Sequence, residues 1–266
     1  MKSLAQEIKG LWNARALLVV MTVRDLKARH AGSAFGMVWL YAQPLLTVAA
    51  YFLVFDIVFK LRLGEGAPTR AVGAYLIVGL VPWLAFSDAV GRGMMSLIDA
   101  GALLQKNPMP PALFPTRAVL SSAVVFVPLI AILVPLYAPL HGFAPALVLL
   151  LPLLAIAVLT WCLLAYALAI LAAALRDVTQ VVTFVLGVGI FLSPVLFPPS
   201  MFPAGTAWVL WLNPMTPTIL GVQGILLAGD APGAGVWLAM LSWLSALAVV
   251  LDRLIARSRE QLIDWL

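Results

Sequence analysis

Charged residues are scarce in this chain. Asp, Glu, Lys and Arg make up 10% of its 266 residues, whereas 64% are hydrophobic. An ordinary soluble domain carries about 25% charged residues, so the composition excludes one and predicts an integral membrane protein. Because a bilayer-spanning helix takes about 20 apolar residues, the length allows roughly six spans and no large soluble domain.

Residues that carry chemistry are equally few. A single cysteine, Cys162, cannot form an internal disulfide or a cysteine-based metal site. The two histidines, His30 and His141, are expected at the surface, and we expect no bound metal. None of the five lysines follows a glycine, so the phosphate-binding pattern G-x-x-x-x-G-K-[ST] is absent. We expect neither catalytic residues nor ATP hydrolysis by this chain.

Long apolar runs predict an all-α membrane fold with six transmembrane helices over residues 34–255. The predicted spans are 34–59, 71–97, 118–140, 144–175, 178–196 and 236–255. Between the last two, prolines interrupt residues 197–232. Since unpaired backbone groups are costly in lipid, this stretch predicts two short or re-entrant helices rather than another span.

Residues 1–33 contain one apolar run, Ala16–Val23, which is too short to cross a membrane. Cations follow it where a signal peptide would have a small-residue cleavage site. We expect an amphipathic helix that lies on the membrane surface; a solvated helical tail is the alternative. Residues 256–266 are expected to form a second tail.

The positions of Lys and Arg predict the orientation. Thirteen of them lie in the two tails and in the connections after the second and fourth spans, whereas Lys60, Arg62 and Arg70 lie in the first loop on the other side. The positive-inside rule then places both tails and Lys106 in the cytoplasm. Residues 197–232, including Asp230, are expected outside.

Three aspartates near span ends each precede a cation by four residues. The pairs are Asp25 and Arg29, Asp56 and Lys60, and Asp88 and Arg92. This order favours a helical ion pair, so we expect local pairing. A functional role for charges at membrane depth is the alternative.

Aromatic residues of the first span allow two interpretations. They are Trp39 and Tyr41 near one end, and Phe52, Phe55 and Phe59 near the other. Interfacial anchoring and packing explain such residues. Alternatively they line a path for sugars, whose apolar faces stack on aromatic rings as bases do. We expect almost no polar residues within the spans. Such a path is therefore expected to use aromatic faces, backbone groups and waters, and to need two copies to enclose it.

Four stretches resemble the permease subunits of ATP-binding-cassette exporters of lipid-linked polysaccharides, the O-antigen, capsule and teichoic-acid group. They are RDLKARHAGSAFGMVWLYAQP at 24–44, GALLQKNPMPPALFPTRAVL at 101–120, LRDVTQVV at 175–182, and MFP with WLNPMTPTI within 201–219. The resemblance covers nearly the whole chain in the family's order and favours the O-antigen branch. The chain departs from the family in its extra prolines and in Thr116, which separates Phe114-Pro115 from Arg117.

The resemblance implies the membrane half of an exporter in the bacterial inner membrane. Its implied partners are a second copy of the chain, two ATPase subunits that hold ATP and Mg, membrane lipids and a lipid-linked polysaccharide cargo. This chain is then expected to bind no cofactor and no nucleic acid. Alternatives are a permease for a drug or simple lipid, or a membrane-embedded transferase that acts on lipid-linked sugars. The transferase would need an acid/base cluster that the sequence lacks.

The resemblance also assigns candidate residues to three sites. The implied coupling segment, 100–117, contains Leu103, Leu104, Gln105, Lys106, Phe114 and Arg117, and the turn at Arg176 and Asp177 accompanies it. The surface helix ends in Arg24, Asp25, Lys27 and Arg29. The external gate is represented by Met201, Phe202, Trp211, Asn213 and Pro214. We expect Leu103 and Leu104 to be buried by the ATPase and Lys106 to be a charged contact at the rim.

Overall fold

A computed structural model describes residues 2–29, 31–60, 72–107, 109–203, 205–259 and 261–266. Regular structure in these ranges is entirely helical. The α-helices are α1 (Lys2–Asn13), α2 (Arg15–Ala28), α3 (Trp39–Phe52), α4 (Val72–Asp99), α5 (Gly101–Lys106), α6 (Leu113–Tyr137), α7 (Leu150–Ala174), α8 (Asp177–Gly189), α9 (Thr216–Gln223), α10 (Ala234–Ser258) and α11 (Leu262–Trp265). His30 and the first loop, with Arg62 and Arg70, lie outside the described residues.

Shorter helical stretches extend or connect these elements. The 3-10 stretches are Gly36–Val38, Ala138–His141, Pro145–Leu149, Pro199–Met201 and Ala207–Leu212. Two π-helical stretches, Leu53–Val58 and Gly224–Ala228, continue α3 and α9. The apolar runs therefore become continuous helices longer than the α-helical parts alone.

Five helical stretches in the described ranges are long and apolar enough to cross a membrane. They are Gly36–Val58, Val72–Asp99, Leu113–His141, Pro145–Ala174 and Ala234–Ser258. The integral membrane class is confirmed, but the six-span count is not. The predicted fifth span, 178–196, holds the 13-residue helix α8, which ends in turns. Pro194 explains this ending, because proline lacks an N–H and disfavours helical backbone at the residue before it.

Helix α4 lies at the centre of the bundle and packs against α6 and α7. Most of its residues are buried, including Leu76, Leu80 and Trp83. A Cβ built on Gly93 would lie 2.6 Å from the Cβ of Ala165 on α7. Glycine therefore permits the close approach of these two helices.

The broken region after α8 contains the short helices that its prolines predict. Gln223, the last residue of α9, is buried and donates from Nε2 to the main-chain carbonyls of Pro194 (2.9 Å) and Tyr75 (3.3 Å). The side chain thus satisfies a carbonyl near the point where the chain stops being helical. The external, re-entrant position of this region stays a prediction.

Candidate transport groove and coupling surface

The first spanning helix carries a row of side chains spaced four residues apart. Trp39, Gln43, Thr47, Tyr51 and Phe55 follow one another along α3 and its π-helical continuation. Residues at this spacing share one side of a helix. The row therefore presents an amide, a hydroxyl and a phenol between two apolar rings.

Three cavities lie along this row. The first is lined by α3, α4, α6 and Arg29, the second by α3 alone, and the third by α3, α4 and α8. Their volumes are about 320, 450 and 360 Å³, and Thr47 lines all three. Helix α4 contributes Ser87 and Asp88, and α8 contributes Thr183. The three cavities share lining side chains of α3, and together we call them the polar groove.

The polar groove offers hydrogen-bonding groups at membrane depth. The hydroxyl of Thr47 donates to the carbonyl of Gln43 (3.0 Å), and that of Thr183 donates to the carbonyl of Thr179 (2.7 Å). Each oxygen keeps a lone pair that can accept from a ligand. Since hydrocarbon supplies no partner for such groups, a polar ligand here has hydrogen bonds to gain.

The expectation that the spans carry almost no polar residues is wrong for this surface. The first span is apolar on average because apolar neighbours outnumber the members of the row, so overall composition does not indicate it. The four-residue spacing of Gln43, Thr47 and Tyr51 was the sequence signal that could have revealed it.

The aromatic path candidates separate into two groups. Trp39 lines the polar groove, and Phe55 stacks on Tyr51 with ring centroids 6.1 Å apart. Phe59 meets Phe55 edge to face. Tyr41 is not among the groove-lining residues, and Phe52 packs on α4 at Gly73. The groove thus brings together only part of the predicted set.

A network of charges and hydroxyls lies at the end of the groove near Trp39. Arg29 donates from Nη1 to Asp88 (3.0 Å), and Arg92 donates from Nη2 to Asp25 (2.6 Å). The hydroxyl of Ser122 donates to Asp88, and that of Ser121 to Asp25. The network therefore joins α2 to α4 and α6.

This network corrects the predicted pairing of Asp88 with Arg92. A spacing of four residues describes pairs within one helix only. In the structure α2 packs on α6, and side chains from the α2 region and from α4 meet beside it, so Asp88 and Arg92 each find a partner on another segment. The pair within α2 is present, with Arg29 Nε 3.6 Å from Asp25. Asp56, which the sequence pairs with Lys60, accepts a hydrogen bond from the backbone N–H of Gly73.

Burial sets the energetics of the network. It lowers the pKa of Arg29, while the neighbouring carboxylates of Asp88 and Asp25 oppose this effect. A guanidinium remains charged in proteins, so its two carboxylate neighbours compensate for the lost hydration. Arg24 and Lys27, the other charges of the predicted surface helix, are exposed.

The predicted coupling segment, 100–117, is divided between α5 and the start of α6, and some of its residues are buried. Leu103 is 44% exposed and Gln105 and Lys106 are exposed, but Leu104 is only 6% exposed. The chain itself buries Leu104, so the expectation that a partner covers this side chain is wrong. Helical periodicity is the reason, because adjacent residues of α5 face different directions.

The second half of the coupling segment belongs to α6. Phe114 is fully buried, and the guanidinium of Arg117 lies 5.2 Å from the centre of its ring. Pro115 is tolerated here, since the first-turn N–H groups of a helix have no intrahelical partner. Arg176 and Asp177 are exposed at the turn between α7 and α8.

The predicted gate residues lie on the short helices and turns after α8. Met201 and Trp211 are exposed, and Phe202 is half-buried. The side chain of Asn213 accepts from the N–H of Met215 (2.9 Å), just before α9. Pro214 lines a separate cavity of about 510 Å³. Gate function stays a prediction for all of them.

That larger cavity, between α4, α7, α8 and α10, is almost entirely apolar. Trp83, Phe86 and Trp243 are among its lining residues. It offers a sugar chain few hydrogen-bonding partners, so the polar groove is the better candidate for a path.

Comparisons with known proteins agree with this architecture. The model of the ABC-2 type transporter family matches residues 16–227. The chain is 31% identical over 247 residues to the O-antigen export system permease protein RfbA of Myxococcus xanthus, covering 92% of this chain and 91% of that protein. A protein of the same name from Klebsiella pneumoniae is 27% identical over 219 residues, covering 80% of this chain and 81% of that protein. This chain contains apolar helices that can span a membrane, and the family model matches most of its length. It therefore belongs to the ABC-2 type transporter family.

Proposed function

We propose that this chain is the permease subunit of an ATP-driven exporter that carries a lipid-linked polysaccharide, of the O-antigen class, across the bacterial inner membrane. The observation that carries the proposal is the polar groove, which places hydroxyl, amide and aromatic side chains along otherwise apolar spans. The two RfbA relatives, which are O-antigen export system permease proteins, support the cargo class.

The groove suits a glycan in two ways. Sugar hydroxyls can exchange hydrogen bonds with Gln43, Thr47 and Thr183, and the apolar faces of sugar rings can stack on Trp39 and Tyr51. A drug or a simple lipid would be better served by the apolar cavity beside Trp83. For the transferase alternative, the described residues contain no group of three or more acidic, histidine or cysteine side chains placed to hold a metal, and we propose the exporter because the groove and the relatives support it.

A second copy of the chain would complete the path. Within α3 only Leu40 is buried, so most of this helix faces outward. A groove that is open along one side needs a facing surface to exclude lipid from a polar cargo. Two copies related by a twofold axis would supply that surface with one interface.

Two separate ATPase subunits would supply the energy. The exposed residues of α5, Leu103, Gln105 and Lys106, together with Arg176 and Asp177, form the surface that we assign to them. An exposed leucine flanked by polar side chains is suited to an interface whose centre is apolar and whose rim is charged.

Substitution within the row tests the proposal. Gln43→Leu and Thr47→Val remove hydrogen-bonding groups at nearly constant volume, and Leu45→Met, on the exposed side of α3, is the matched control. In cells that lack their own O-antigen permease but contain the partner ATPase, both groove variants should reduce surface glycan at least fivefold. Membrane levels and ATPase association should be unchanged. Normal export by a variant that carries both Gln43→Leu and Thr47→Val would refute the polar groove as the glycan path.

Cysteine labelling tests the proposed orientation. In a Cys162→Ala background, a membrane-impermeant thiol reagent added to intact cells should label Asp230→Cys but not Lys106→Cys. Labelling of position 106 from outside would overturn a cytoplasmic coupling surface.

A further inference from the structure

Helix α5 is held by parts of the chain that are far away in the sequence. Leu104 of α5, Leu4 of α1 and Leu262 of α11 are 6%, 7% and 5% exposed and belong to one buried apolar cluster. Leu266 packs against the same cluster. The face of α5 opposite Leu103 is therefore covered from within the chain.

Gly101, the first residue of α5, allows the closest of these contacts. A Cβ built on it would lie 2.8 Å from the carbonyl oxygen of Leu266 and 3.3 Å from the Cβ of that residue. Real Cβ atoms do not approach an oxygen so closely. A side chain at position 101 would therefore displace residues 261–266 from α5.

Helix α1 links the same region to two spanning helices. The N–H of Leu4 donates to the carboxylate of Asp252 on α10 (2.8 Å). The carboxylate of Glu7 accepts from the N–H of Ala112, immediately before α6 (3.4 Å). The packing around α5 is thus continuous with α6 and α10.

Without such packing, α5 would be poorly suited to transmit movement. It has six residues, is joined to α4 through Ala100, and is separated from α6 by residues 107–112, whose sequence contains three prolines. A helix on connections of this kind can tilt while the bundle stays still. Contacts on its inner face remove that freedom.

We propose that Leu4, Gly101, Leu104, Leu262 and Leu266, which we call the α5 clamp, are positioning residues that carry a displacement of α5 into α6 and α10. The proposal rests on the proposed role of α5 as an ATPase contact. It assigns Leu262 and Leu266 to the transmission of movement, although they are distant from α5 in the sequence.

Small substitutions in the complete exporter test the clamp. Leu262→Ala and Gly101→Ala should lower the glycan exported per ATP hydrolysed at least fivefold, while the ATPase stays bound and active. Leu262→Met should behave as wild type. Gln261→Ala, at an exposed neighbour, and Gly235→Ala, where a Cβ meets nothing within 4 Å, are the matched controls and should also keep the normal ratio.

Each result decides a different point. A normal ratio of export to hydrolysis in both Leu262→Ala and Gly101→Ala would overturn the clamp. Loss of the ATPase from these variants would also overturn it, because that loss indicates collapse of the coupling surface rather than loss of transmission. Leu103→Asp tests the underlying assignment separately: it should release the ATPase, and retention would refute the proposed contact itself.

Discussion

Double-mutant cycles can distinguish the two possible partners of Arg92. These are Asp25, which the structure places beside it, and Asp88, which the sequence spacing predicts. The perturbations are Arg92→Ala, Asp25→Asn and Asp88→Asn, singly and in the two combinations with Arg92→Ala. Arg92 Nη2 lies 2.6 Å from Asp25, and the side chains are 35% and 15% exposed. Exposed pairs contribute about 0.2–1 kcal/mol, whereas breaking a buried pair costs about 3–5 kcal/mol.

The partial burial of the Asp25 and Arg92 pair places its expected coupling near 2 kcal/mol, between those limits. Coupling between Asp88 and Arg92 should stay below about 0.5 kcal/mol. At roughly 2–4 °C per kcal/mol for a protein of this size, the Asp25 cycle should deviate from additivity by about 4–8 °C in Tm. Thermal unfolding of the detergent-purified protein measures it. If the Asp88 cycle deviated from additivity as much as the Asp25 cycle, or more, the pairing of Arg92 with Asp25 would be refuted.

Three more outcomes can be checked with the same thermal assay. Leu104→Asp buries an unpaired charge and should cost about 3–5 kcal/mol, while Leu103→Asp, on the exposed face, should change stability by less than about 0.5 kcal/mol; equal Tm values would contradict the assigned burial. Gln223→Leu leaves two carbonyls without their donor and should cost about 1–3 kcal/mol, and an unchanged Tm would show that these bonds are dispensable. Burial raises the pKa of Glu7, so the folded state binds the proton more tightly and loses stability as pH rises through that pKa. Glu7→Gln should therefore be more stable than wild type at pH 7.5 and lose this advantage in acid. Parallel pH profiles of stability for the two proteins would refute this expectation.

Apolar run length predicted most of the spanning helices well. The second predicted span, 71–97, corresponds to Val72–Asp99, and the first, 34–59, to Gly36–Val58. Hydrophobicity and length suffice here, because lipid forces each spanning segment to satisfy its own backbone groups. The fifth predicted span is not confirmed, because α8 ends at Gly189, before Pro194, although the side chains there are as apolar as those around them.

Contacts between helices could not be predicted in the same way. The order of Asp88 and Arg92 in the sequence favours a local pair, but the structure gives each a partner on α2. Likewise, the sequence makes Leu103 and Leu104 equivalent, and only the burial of Leu104 in the apolar cluster with Leu4 and Leu262 distinguishes them. Such choices depend on which distant segments meet, and single-chain patterns carry little of that information.

The π-helical turn at Leu53–Val58 changes the shape of the row on α3. Four residues rotate an α-helix by about 400°, so each step from Trp39 to Tyr51 shifts the row sideways by about 40°. A π turn holds more residues than an α turn, so the step from Tyr51 to Phe55, which enters the π-helical stretch, falls short of the α-helical rotation and the row turns back. The row is thus a curve that reverses its direction of winding. A rigid rod cannot touch every member of such a curve, whereas a polymer with a rotatable bond at each unit can.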